Sequence, residues 1–184
     1  MKLNLVAAPS PDFEDRKDTV QFIIIHATGC QTLGETFDCL ARRHVSAHYV
    51  IDRDGTVYGL VDPDKRAFHA GVSDWEGYCE RTGFKGLNDA SIGIELQCPP
   101  KETLESGEVC KFDNFSNDQI AACIELCKRL MRIYNVKPEH ILRHSDVAPN
   151  RKYDPGETFP WNIFKKKLEN AQKKACINAN DMVR

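Results

Sequence analysis

The segment Gln21–His26 constrains this chain more than any other. It holds Phe22, Ile23, Ile24 and Ile25 in succession, with charged residues before it and Gly29 after it. A half-exposed strand would alternate with polar residues, so the run reads as a central strand buried on both faces. Such a strand needs partners on its edges and cover on both sides, which selects helices layered on a sheet. It also delivers His26 to a strand's carboxyl end, where open α/β sheets place their ligand sites.

The rest of the sequence supplies those layers. Thr32 followed by Glu35 is a capping box, and Leu33, Phe37, Leu40 and Ala41 form one stripe of a helix ending near His44. Ala47–Ile51 and Thr56–Leu60 flank the Asp54-Gly55 turn as a β-hairpin, so strand directions are mixed. Ser91–Leu96 alternates, with Ile92, Ile94 and Leu96 on one face and Ser91, Gly93 and Glu95 on the other. The clearest helix spans Asn117–Tyr134. Ser116 and Gln119 form its capping box, Phe115 and Ile120 its hydrophobic staple, and Asn135 and Pro138 its stop. Ile141–His144 reads as a short strand ending on a second histidine. From Trp161 a last helix begins, whose Lys165, Lys166, Lys167, Lys173 and Lys174 are expected to solvate an exposed face.

At 184 residues the chain is expected to form a single domain. Lys plus Arg is 25 and Asp plus Glu is 27, a net charge of −2, which excludes nucleic-acid binding through bulk electrostatics. The eight cysteines would suggest disulfides in a secreted chain. Yet Leu3–Ala8 is interrupted by Asn4, is too short for a signal-peptide core, and precedes Asp12, Glu14, Asp15 and Asp18. No segment approaches a membrane span. With Met1 as the natural start, the expectation is a cytoplasmic, monomeric protein with reduced thiols; a removed leader would make it periplasmic. Cys123 and Cys127 fall on a helical stripe as core filling. Cys30, expected near His26, joins Cys79 and Cys98 as an oxidation liability.

Each of the six histidines has a bland reading beside a functional one. His44 and His48 share the spacing of a helical zinc pair but straddle a helix-to-strand junction, so packed or hydrogen-bonded rings are favoured. His140 is expected in an exposed loop. His69, in Phe68-His69-Ala70-Gly71, either faces a ligand or ties its loop down. His26 and His144 each end a strand, and Asp154, in the Asp154-Pro155-Gly156 turn, offers a third ligand to a zinc with one open position. Spacing alone equally allows ordinary turn chemistry there.

Five blocks, however, carry a resemblance: Ile23–Thr28 (IIIHAT), Val45–Asp52 (VSAHYVID), Phe68–Gly71 (FHAG), Leu87–Leu96 (LNDASIGIEL) and Arg143–Gly156 (RHSDVAPNRKYDPG). In order and spacing, from about Val20 to Trp161, they resemble the zinc N-acetylmuramoyl-L-alanine amidases of the AmpD and AmiD type, relatives of the peptidoglycan recognition proteins. The resemblance implies a single α/β domain over residues 20–164, with a mixed central sheet flanked by helices and a zinc groove at one sheet end. Residues 1–19 would be an extension packed on that domain, and 165–184 a Lys-rich helix or tail. It implies Zn2+ ligation by His26, His144 and Asp154, a catalytic Glu95 and an oxyanion-stabilising Lys152. His48 and His69 are assigned substrate-side or supporting roles, Lys85 and Asn88 the substrate side, with Asn88 and Asp89 also shaping the turn before the Glu95 strand, and Asp146 or a strand carbonyl the support of His144. The implied reaction is hydrolysis of the amide joining N-acetylmuramic acid, including its 1,6-anhydro form, to L-alanine in muropeptides. Where relatives often carry an arginine before the LND block, this chain has Gly86, with Lys85 as the substitute. The competing readings are a recognition module that binds without cutting, and a zinc hydrolase of another amide. The complete ligand set argues against the module.

Overall fold

A computed structural model describes residues 2–181, with side chains as far as residue 175. Its central sheet has the order β1 (Leu5–Ala7), β5 (Val57–Gly59), β4 (Tyr49–Ile51), β7 (Ser91–Leu96), β3 (Phe22–Ala27), β10 (Ile141–Arg143). The strands β4, β7, β3 and β10 run parallel and share one carboxyl rim, while β5 returns antiparallel to β4. Two antiparallel ribbons lie outside the sheet, β2 (Phe13–Asp15) with β6 (Lys65–Ala67) and β8 (Pro100–Thr103) with β9 (Val109–Phe112).

Alternation along β3 decides what covers each face. Ile23 and Ile25 join Ile92, Ile94 and Leu96 under α3 (Asn117–Tyr134) and α5 (Trp161–Asp181), whereas Phe22 and Ile24 pack with Leu87, Tyr78 and Leu142 on the opposite side. That second side also carries α1 (Leu33–Arg43), packed through Leu33, Phe37 and Leu40 on Val50, together with α2 (Tyr78–Thr82) and α4 (His144–Val147). His26 and Glu95, by parity, face this second side. The expected α/β class, mixed sheet and flanking helices are therefore all present.

The helix signals translate closely into structure. The Thr32 hydroxyl accepts the Glu35 N–H at 3.1 Å and the Glu35 carboxylate accepts the Gln31 N–H at 2.8 Å, so α1 begins where the capping residues lie. It stops at His44, left-handed at φ 50°, whose ring is exposed. Ser116 caps α3, but Gln119 does not complete a reciprocal box. Its buried amide instead donates to Ile51 O and Gln97 O, both at 2.9 Å, pinning the helix to the ends of two strands.

Four placements depart from the sequence reading. The first nineteen residues are more than a packed extension, because β1 is one of the sheet's two edge strands and β2 pairs with β6. No break falls at residue 165, since α5 runs through it with Phe164 and Leu168 both in the core. Lys165 is not solvated: its ammonium donates to Pro138 O and to Ile141 O, while Lys166, Lys167, Lys173 and Lys174 are exposed. His140 is half-buried against the Phe22 ring rather than free in a loop.

Arg16 shows why the N-terminal segment is indispensable. Its guanidinium donates to five backbone carbonyls, those of Pro63, Lys65, Asn88, Asp89 and Ser91, at 2.7–3.2 Å. These lie in two stretches, 63–65 and 88–91, that lead into β6 and β7, and a forked, planar donor reaches them together. Replacement by Ala strands several of them at about 1–3 kcal/mol each. Arg16→Ala is expected to lower stability by roughly 3 kcal/mol or more, read as a reduced urea midpoint, with Arg16→Lys recovering little of it.

Candidate active site

Three adjacent parallel strands assemble the chemistry. Register sets His26 of β3 directly beside Glu95 of β7, and β10, on the other side of β3, ends at Arg143 so that His144 opens α4 at the same rim. The turn carrying Asp154 folds back over that rim, fixed by a 3.0 Å hydrogen bond from the Ser145 N–H to Asp154 O. His26, His144 and Asp154 are all buried. His26 Nδ1 lies 2.9 Å from His144 Nδ1, and Asp154 Oδ2 lies 3.2 Å from the first and 3.1 Å from the second.

This triangle fits a zinc ion. Ligands at about 2.0–2.1 Å in tetrahedral directions sit roughly 3.3 Å apart, close to the spacing seen. The outer nitrogen of His144 faces Ala70 O at 3.2 Å, an atom that only accepts. Nε2 therefore carries the proton and Nδ1 turns a lone pair inward. The supporting carbonyl belongs to the FHAG loop, not to a strand. Asp146 is engaged elsewhere, accepting the Arg143 N–H at 2.9 Å. Burial, reinforced by His144, lowers the His26 pKa to about 4, keeping it a neutral donor. Burial works against ionisation of Asp154, but in the metal-free cluster the adjoining His144 and His26 side chains outweigh it and hold the carboxyl below its usual range.

Glu95 stands beside this cluster rather than in it, with Oε1 4.0 Å from His26 Nδ1. Its Oε2 is buried and has no hydrogen-bond partner, an arrangement that leaves a carboxylate oxygen free for a reactant. Burial first, and the charge of Asp154 second, push its pKa up to about 8. The cleft in front of these groups has a volume of about 430 Å³, closed on one side by α1 residues and on the other by the β8–β9 ribbon. Lys152 lines it, with Nζ 2.8 Å from the carboxylate of Glu108 beside the ribbon's turn. Nothing in the sequence marks Glu108 as its partner, because the two meet only through tertiary folding.

The substrate-side assignments divide. His69 lines the cleft and touches His26, and Asn88 also borders it. The Asn88 amide oxygen is nevertheless engaged by the N–H groups of His69 and Ala70, so Asn88 holds the FHAG loop. His48 takes the supporting, hydrogen-bonded role: it is wholly buried, with Nδ1 accepting the Gly93 N–H and Nε2 donating to Lys65 O. Lys85 is exposed and does not line the cleft. Nor is Gly86 simply a missing arginine, since a Cβ there would come within 2.1 Å of Gly71 O. Arg151, not singled out in the sequence, braces the same loop through Ala70 O and Val72 O. Cys30 does line the cleft, but burial raises its thiol pKa to about 11, that of Cys79 to about 11 and that of Cys98 to about 12. Thiolate, the oxidisable form, is therefore scarce at all three.

Comparison with known proteins agrees with this geometry. The family described as N-acetylmuramoyl-L-alanine amidase matches residues 16–157. The chain belongs to that amidase family. It is 35% identical to the N-acetylmuramoyl-L-alanine amidase AmiD of Escherichia coli K12 over 149 residues, 77% of this chain and 51% of the relative. It is 38% identical to the 1,6-anhydro-N-acetylmuramyl-L-alanine amidase AmpD of the same organism over 126 residues, 68% of this chain and 60% of the relative. This chain thus spans about half to three-fifths of those amidases' lengths. A solved structure of Escherichia coli AmiD, in complex with anhydro-N-acetylmuramic acid-L-Ala-D-γ-Glu-L-Lys, superposes with a TM-score of 0.69 at 33% identity, covering 80% of this chain and 57% of that one. Among the described residues no helix is long and apolar enough to cross a membrane.

Two outcomes follow from the site. The purified protein is expected to hold about one zinc per chain by elemental analysis. Asp154→Ala should lose it on gel filtration, while Glu95→Ala should keep it. Without metal, the buried histidines make stability depend on pH. The folded pKa is about 4 for His26, about 3 for His48 and well below 6.5 for His69. Below about pH 6.5 the unfolded chain takes up protons that these rings refuse, so their contribution is full above that pH and fades as it falls. Glu95, kept protonated up to about 8, offsets one of the three between about pH 4.5 and 8. At a limit of about 1.4 kcal/mol per pH unit for each group, urea midpoints of the metal-free protein should decline clearly from pH 7 to pH 5.

Proposed function

We propose that this protein is a zinc-dependent amidase that hydrolyses the bond between N-acetylmuramic acid, including its 1,6-anhydro form, and the L-alanine of muropeptides, in cell-wall recycling or turnover. One observation carries the reading: a buried His26–His144–Asp154 donor triangle with Glu95 set beside it, at the base of an open cleft, in a chain of the amidase family. Zinc bound there would supply a Lewis acid that polarises a carbonyl and makes water nucleophilic near neutral pH.

The chain's own groups then divide the remaining work. Glu95 takes a proton from the attacking water and returns it to the amine of the departing L-alanine, and its unpartnered Oε2 is the atom free to do so. Burial raises its proton affinity in the metal-free site, and the charge of a bound zinc would favour the carboxylate form that must accept the first proton. Lys152 offers a cation to the oxygen that gains charge as the carbonyl becomes tetrahedral. Its bond to Glu108 keeps the ammonium at the cleft wall instead of in solvent. A non-catalytic recognition module needs neither Glu95 nor a complete ligand triangle, which weighs against that alternative. The seven described cysteines are all free thiols, which favours a reducing compartment such as the cytoplasm.

Incubation with muramyl tripeptide and its 1,6-anhydro form, followed by mass spectrometry of the released peptide, tests the proposal. Release should stop with a chelator and return with zinc. Glu95→Gln should retain zinc while turnover falls by about 10²–10⁴-fold. Absence of release from both substrates by the zinc-loaded protein would overturn the reading.

A further inference from the structure

The ring of His69 is placed with more care than a loop-tying residue requires. Its own loop is already held by other groups, the Asn88 amide oxygen and the Arg151 guanidinium. The ring atoms instead reach two strands. Nδ1 lies 3.0 Å from Nε2 of His26, with the rings edge to face at 86°, and Nε2 lies 3.2 Å from the hydroxyl of Ser91. The backbone makes space for it: a Cβ on Gly93 would fall 2.4–2.7 Å from the His69 ring, so only glycine at that point of β7 lets the imidazole lie against the strand.

The protons in this chain can be assigned from its far end. The Ser91 hydroxyl sits 2.7 Å from Leu87 O, which only accepts, so its single proton is committed there. Ser91 Oγ must then accept from His69 Nε2–H. That leaves His69 Nδ1 bare, to accept from His26 Nε2–H. His26 in turn presents the lone pair of Nδ1 to the space shared with His144 and Asp154. We propose that His69 is a positioning residue for His26, the central member of a relay from Leu87 O through Ser91 that fixes the tautomer and orientation in which His26 ligates the metal. The inference rests on the zinc reading of the site and adds to it a support for His26, as Ala70 O supports His144.

Outer partners of metal-bound histidines set ligand basicity and orientation, and their loss commonly weakens binding 10- to 100-fold. The test is the zinc affinity of the full chain, measured by competition with a chromophoric chelator, together with the visible spectrum of the Co2+-substituted protein. His69→Phe keeps an aromatic ring and removes the acceptor; it should bind zinc about 10- to 100-fold more weakly with a shifted Co2+ spectrum. His69→Gln retains an acceptor and should recover part of the affinity. Ser91→Ala, a smaller change, should weaken zinc several-fold, and it decides the matter if His69→Phe does not fold. A folded His69→Phe with the parent affinity and spectrum, or a Ser91→Ala with unchanged affinity where His69→Phe is unfolded, overturns the relay and leaves the amidase reading standing. A parent protein that takes up no zinc overturns both.

Discussion

The parallel pairing of β3 with β7 is the constraint on which the site depends. It aligns His26 with Glu95 across neighbouring strands, so a candidate metal ligand and the carboxylate proposed to carry the proton are held side by side by backbone hydrogen bonds rather than by loops. A slip of one residue would send either side chain to the opposite face, into the core under α3 and α5. Register is secured by what lies on that face: Ile25, Ile92 and Ile94 are fully buried there, and a slip would bring in His26, Ser91 or Glu95 and bury an unpaired polar group. The apolar core and the catalytic geometry are therefore two results of the same pairing.

Around that pairing, polar groups are buried in sets that satisfy one another. Arg16 closes carbonyls from two stretches, 63–65 and 88–91, Gln119 closes two strand ends, and His48 joins β7 to the first residue of β6. Such groups are costly singly and rigid collectively. Their effect is to place the FHAG loop, which supplies Ala70 O behind His144 and the His69 ring beside His26, on a frame with little freedom to shift.

What was legible in the sequence follows from the range over which each signal acts. Caps, stripes and alternation are local, and they located β3, α1, β7 and α3 within a residue or two. The cluster of His26, His144 and Asp154 was readable only as a resemblance, because its members are distant along the chain and no spacing rule joins them. Short pieces such as β1, β2 and β6 hold three residues each, too few to show a period. The packed, hydrogen-bonded ring favoured for His48 is present, whereas its substrate-side alternative came only from its place in a family-like block. Gly86 was read as a lost side chain, when the tight approach of Gly71 O admits none. Glu108 beside Lys152 and the five acceptors of Arg16 are tertiary meetings without a local signature.

The order of the sheet carries a consequence for how the molecule comes into being. β3 is made early, yet its neighbours β7 and β10 are encoded far downstream, and Asp154 lies later still. Arg16 likewise waits for carbonyls that leave the ribosome much later. During synthesis the most hydrophobic strand of the chain must remain unpaired until most of the domain has emerged, a long-range closure of the kind that folds slowly. The candidate metal triangle is complete only once Asp154, encoded after every strand of the sheet, is in place.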